Sequence, residues 1–154
     1  MIDLEASNHT GRELELMLAG KKPLAMFYAE VSELPWEELI PEKAFSPYVQ
    51  EGRFVRVETD YPGGYVEALG RQARFKYVFF APFEEVWRIR AIMLLKQSFQ
   101  ESNGPWNEAL ERIECSLLGY SKEETDAWCM ASPILKRLNG PNSSLDADAT
   151  RRST

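Results

Sequence analysis

Lys76-Tyr77-Val78-Phe79-Phe80-Ala81-Pro82-Phe83-Glu84-Glu85 is an apolar run that ends in acid. Two earlier stretches have the same shape: Pro23-Leu24-Ala25-Met26-Phe27-Tyr28-Ala29-Glu30 and Phe54-Val55-Arg56-Val57-Glu58-Thr59-Asp60. Short apolar and aromatic runs of this kind read as strands. The stretches between them are long enough to hold crossovers. The pattern therefore predicts an α/β fold: a small sheet of three to four strands, mostly parallel, flanked by helices on both faces. In such sheets ligands gather beyond the carboxyl ends of the strands.

The first strand, about 23–30, is apolar almost throughout, as a strand covered on both faces should be. The second, about 53–59, alternates, which suits an edge or half-covered position. Tyr61-Pro62-Gly63-Gly64 has the composition of a turn, and Tyr65 to Gln72 reads as two turns of helix. The third strand, about 74–80, runs into Pro82, a good helix start when followed by Glu84 and Glu85.

Thr10-Gly11-Arg12-Glu13 has capping-box spacing and predicts a helix over about 11–19, closed by Gly20. Trp36, Leu39 and Ile40 suggest a short helix between Pro35 and Pro41. Val86, Trp87, Ile89, Ile92, Met93, Leu94 and Leu95 cover most of one helix circumference, so that helix should be central or lie between two layers. Pro105 and the capping box Ser121-Lys122-Glu123-Glu124 then open a helix hairpin over about 105–131, giving a helical C-terminal segment. Residues 139–154, rich in Asn, Ser, Asp and Arg without periodicity, read as a disordered tail behind one globular domain, 1–138.

With 154 residues, 44% hydrophobic and 27% charged, the chain is long enough to bury a core without staples. It has no run near the ~20 apolar residues that cross a bilayer, and its acidic start lacks a signal-peptide pattern. A soluble, cytoplasmic protein without membrane contact is expected. Cys115 and Cys129 are the only cysteines, which excludes a disulfide framework and a Cys-only zinc site and predicts two buried reduced thiols. The net charge of -6 is concentrated early: residues 1–70 carry 6 Lys and Arg against 13 Asp and Glu. That balance favours a basic protein partner over nucleic acid.

His9 is the only histidine and reads as an exposed loop residue ahead of a helix. Gly-x-Ser-x-Gly, a phosphate-binding loop with lysine and Cys-x-x-Cys are all absent. In element order alone the chain resembles small thioredoxin-like and flavodoxin-like domains. A thioredoxin-like chemistry would need its cysteine pair after the first strand, where this chain has Glu30-Val31-Ser32-Glu33. The hairpin at 105–131 invites a helix-turn-helix reading, but its second helix carries Glu123, Glu124 and Asp126 beside Lys122, which phosphate would repel.

Two constellations remain. Trp36, Glu37 and Glu38, with Tyr48 and Tyr61 on nearby loops, offer aromatic anchors in an acidic surround, the composition of a docking surface for a basic partner. Glu30, Glu58, Asp60 and Glu84 lie at or beyond strand ends, where parallel strands would gather them to hold Mg²⁺. The expected function is a non-enzymatic interaction or regulatory role with an acidic docking surface and no cofactor. The alternative is a small Mg²⁺-dependent enzyme acting on a phosphorylated substrate.

Overall fold

The computed structural model describes residues 8–31, 36–66, 70–132 and 135. The expected tail at 139–154 lies outside them. The chain forms α1 (Glu13–Leu18), β1 (Ala25–Glu30), α2 (Trp36–Leu39), α3 (Glu42–Gln50), β2 (Val55–Val66), β3 (Arg71–Ala81), a 3-10 turn (Phe83–Glu85), α4 (Val86–Ser102), α5 (Glu108–Leu117) and α6 (Lys122–Ala131). None of its described helices is long and apolar enough to cross a membrane.

The sheet has three strands in the order β1-β3-β2, and both neighbouring pairs are antiparallel. The expectation of a mostly parallel sheet is thereby overturned. Only residues 67–70 separate β2 from β3. Parallel neighbours need a crossover of a dozen or more residues, so this connection closes a hairpin instead. The Tyr61-Pro62-Gly63-Gly64 stretch is no turn: β2 continues through it, with a register slip between Pro62 and Tyr65. β2 is an edge strand, where a proline is tolerated and glycines suit a bulge. No helix begins at Tyr65; Tyr65 and Val66 pair with Gln72 and Arg71 instead.

Helices do cover both faces, because β3 is buried on both. Val78 and Phe80 face α1 and α3, packing with Met17, Phe45, Ala25 and Phe54. Phe80 stacks on Phe45 at 4.1 Å between ring centroids. Tyr77, Phe79 and Ala81 face α4 and pack with Leu24, Ile89 and Ile92. The central strand therefore reads as a continuous apolar run for the reason parallel strands do, although its neighbours are antiparallel.

The helix signals divide by whether a side chain reaches its cap. The Ser121 box forms fully: Ser121 Oγ accepts from Glu124 N at 3.1 Å, and Glu124 Oε2 accepts from Ser121 N at 2.7 Å. The Thr10 box does not form. Gly11 takes φ +79, the backbone turns there, and α1 starts at Glu13 without a side-chain cap. The hairpin of α5 and α6 is held by Arg112 to Asp126 at 2.5 Å and by Trp128 Nε1 to Glu111 at 2.6 Å. Cys115 and Cys129 are both buried and free, and desolvation pushes the Cys115 thiol up to about 12.

Candidate functional site

The strand-end acids are parted in two ways: antiparallel pairing sends Glu84 to the far end of the sheet, and β3 stands between Glu30 and Asp60. Glu30 and Tyr61 lie level with Phe75 on opposite sides of β3, about 10 Å apart across two strand spacings. Glu84 follows the other end of β3, beyond Ala81. Glu30 pairs with Arg71 at 2.8 Å, and Glu58 pairs with Lys76 and with Arg56 at 2.7 Å. Hydrogen bonds from Lys76 and Arg56 hold the Glu58 carboxyl below its ordinary value. Arg56 is further clamped by Glu42 of α3, whose two oxygens accept from its Nε at 3.1 and 3.0 Å. Asp60 and Glu84 are exposed. Among the described residues no group of three His, Cys, Asp or Glu is placed to hold a metal ion.

The aromatic set also separates. Tyr48 packs against the α3-side core, with Phe54 at 5.8 Å. Tyr61 belongs to the α4-side core, where its hydroxyl donates to Lys96 O at 2.8 Å. The two rings thus serve opposite faces of the sheet. Glu38 is exposed, and the side chains of Trp36 and Glu37 lie outside the described residues.

A cleft of about 650 Å³ opens instead where the α1–β1 turn meets the α5–α6 turn. Gly119 makes this meeting close: it ends α5 at φ +87, and a Cβ there would sit 2.3 Å from Pro23 Cδ. Lys22, beside Pro23, is carried inward until only 4% of it is exposed. Its Nζ donates to Leu118 O at 2.8 Å, just past the carboxyl end of α5, where the helix dipole favours a cation. It also lies 3.1 Å from His9 Nδ1 and 4.9 Å from the centre of the Tyr120 ring.

His9 is not the exposed loop residue its polar neighbours suggest. It is 7% exposed and stacks on Tyr120 at 3.9 Å with planes 10° apart. Because the Lys22 ammonium can only donate, Nδ1 must be the accepting nitrogen and Nε2 carries the proton. Nε2 lies 3.6 Å from Glu124 Oε1, the carboxylate that also completes the α6 capping box. Burial and then Lys22 push the His9 pKa down, while burial brings Lys22 down to about 8 and Tyr120 up to about 12. On the cleft's far wall Arg88 pairs with Glu85 at 2.6 Å and donates to Ser116 O and Leu117 O, each at 3.2 Å.

These shifts set the pH dependence of stability. A histidine whose folded pKa lies below its unfolded ~6.5 binds fewer protons when folded, so stability is full above pH ~6.5 and falls as pH drops. Lys22 runs the same way at the alkaline end, so its burial penalty is relieved between about 8 and the unfolded ~10.4. His9 should therefore make the melting temperature decline from pH 7 to 5, and Lys22 should add a rising contribution from pH 8 to 10 against the falling one of the raised Cys115 thiol, read as the difference between the native chain and Lys22→Met. His9→Gln should flatten the first limb and Lys22→Met the second; unchanged limbs would contradict this placement of charge.

Several cleft residues stand out in the sequence for other reasons, Gly20, Pro82, Glu84, Glu85, Ser121 and Glu124 as helix signals and His9 as the only histidine, but none of these signals points to a shared cleft. Lys22 sits in a Lys-Lys-Pro step that reads as a solvated strand entry. The docking of Pro23 on Gly119, with His9 and Tyr120 packed over it, buries it.

The second feature is the outer face of α4. Ile89 and Ile92 are buried against the sheet, whereas Trp87 is 54% exposed and Leu94 64% exposed on the opposite side. One turn earlier Phe83 is 81% exposed. Arg88 lies 4.8 Å over the Trp87 ring and holds its orientation. The sequence calls for cover all round this helix, and the sheet and α5 supply it while the Trp87–Leu94 side stays exposed.

Comparison with protein-family models, with curated proteins and with solved structures found no match to this chain.

Proposed function

We propose that the protein is a non-enzymatic interaction module that docks through the outer face of α4. The observation that carries this reading is the exposure of Trp87 and Leu94 on one stripe of a helix whose other side is core. Single surface apolar residues need no explanation. Trp87 and Leu94 lie seven residues apart, two turns along one stripe of α4, with exposed Arg90 between them and Phe83 exposed in the 3-10 turn that precedes the helix. Tryptophan is the side chain most enriched among binding hot spots, and one already fixed by Arg88 loses little freedom on docking.

The partner is a protein offering an apolar groove with basic side chains at its rim. Glu84 and Glu101 are exposed toward the two ends of the stripe, and the net charge of -6 favours encounter with a basic surface. This retains the basic partner expected from composition and moves the docking residues from Trp36–Tyr61 to α4.

A photo-crosslinking residue placed at Leu94 in the native host should give one discrete adduct, absent when the same residue replaces exposed Lys43 of α3. Binding of the purified full chain to the captured protein should weaken at least tenfold in Leu94→Glu. It should associate more slowly in Glu84→Lys/Glu101→Lys, with folding unchanged. No adduct at position 94, or an adduct only with a second copy of this chain, would overturn the reading.

A further inference from the structure

The geometry points to a covalent carbonyl-binding site in the cleft between the α1–β1 and α5–α6 turns: Lys22 is an amine nucleophile toward a small uncharged aldehyde, His9 its base, and Glu124 the residue that positions His9. This is independent of docking through α4. A nucleophile within hydrogen-bond reach of a base, itself oriented by a third group, is the arrangement that activates weak nucleophiles. Here the chain of contacts runs from Lys22 Nζ to His9 Nδ1 at 3.1 Å, and from His9 Nε2 to Glu124 Oε1 at 3.6 Å. Stacking on Tyr120 fixes the imidazole plane between the two.

The cleft selects the class of ligand. Its volume of about 650 Å³ admits a small molecule beside the amine. Glu84, Glu85 and Glu124 line it against Lys21, Lys22 and Arg88, a balanced lining that suits an uncharged aldehyde, and Leu16, Met17 and the prolines supply apolar wall. Lys22 and His9 both contribute to the lining, which puts the pair at the wall of the space a ligand would fill.

The step balances without a co-reactant. The neutral Nζ attacks the carbonyl carbon, forming the C–N bond as the C=O pair moves to oxygen. His9 Nδ1 relays both amine protons in turn to that oxygen, which leaves as water, and a C=N bond to Nζ remains. The depressed lysine pKa of about 8 leaves roughly a tenth of Lys22 neutral at pH 7, against less than ~0.1% of an ordinary lysine. The lowered His9 value keeps the base neutral at the same pH.

Propanal with cyanoborohydride on the full chain, read by peptide mass spectrometry, tests this. Each imine is trapped as a propyl-lysine, and all lysines compete in one sample. At pH 7 Lys22 should be alkylated at least tenfold faster than Lys43, with a rate that rises through pH 8. His9→Gln should remove most of that advantage while leaving Lys43 unchanged. Glu124→Gln, which can still accept the capping-box hydrogen bond, should reduce it without unfolding α6 and stands in if His9→Gln fails to fold. A Lys22 rate at or below that of Lys43, or one unaffected by both replacements in folded protein, overturns the proposal.

Discussion

Phe80→Ala should lower the unfolding free energy by roughly 3–5 kcal/mol, the cost of truncating a fully buried phenylalanine. Phe80 is 0% exposed, stacks on Phe45 and meets Phe27 edge-on at 6.1 Å. It lies on the central strand and bridges the sheet to α3, so the cavity would open where no flexible loop can collapse into it. Domains are stable by only ~5–15 kcal/mol, so the loss is a large part of the total. Urea unfolding should show a lower midpoint at an unchanged slope. Leu94→Ala, on the exposed face of α4, should stay within ~0.5 kcal/mol. Equal losses at the two sites would mean that Leu94 is covered in the isolated chain and that the docking face does not exist.

Gly119→Ala should be the most damaging small substitution, at roughly 2–5 kcal/mol. A residue with a Cβ at φ +87 bears ~1–2 kcal/mol of left-handed strain. The methyl would also sit 2.3 Å from Pro23 Cδ and 3.0 Å from Pro23 Cγ, a pair held in a ring. Relieving that overlap by moving the backbone typically costs a further ~1–3 kcal/mol. Gly20→Ala separates the two terms, because Gly20 has φ +68 with nothing within 4 Å of its would-be Cβ. It should lose only the strain. Thermal melts that rank the two glycines equally would show that the Pro23 approach is not tight. Because Pro23 carries Lys22, Gly119→Ala should also pull the ammonium away from His9 and weaken the acid limb of the stability profile.

Local signals were legible at the Ser121 cap and at the glycines that close helices, but not at Thr10, whose box is undone by the backbone turn at Gly11. The Ser121–Glu124 box and the left-handed glycines at 20 and 119 follow from three- or four-residue rules and are all present. The three strands are where the apolar runs lie, and the wide apolar surface of α4 is real. Strand direction was not legible, because it depends on the length of the connections. Tyr61-Pro62-Gly63-Gly64 has turn composition whether it ends a strand or bulges within one, and an edge strand tolerates it. Extending β2 to Val66 turned an apparent crossover into a hairpin, which put Glu84 at the other end of the sheet from Glu30 and Asp60.

The sequence by itself determined which segments are apolar enough to be buried, where the α5–α6 hairpin turns, and that Phe79 and Phe80 must serve opposite faces. Each of these follows from side-chain chemistry and a repeat of two or 3.6 residues. Tertiary structure alone decided that Lys22 and His9 meet, that Tyr48 and Tyr61 part, and that α4 keeps one apolar side open. These depend on packing between residues far apart in the chain: Pro23 against Gly119, and His9 against Tyr120. No local pattern encodes such a contact, because its energy comes from surfaces that exist only once both partners have folded.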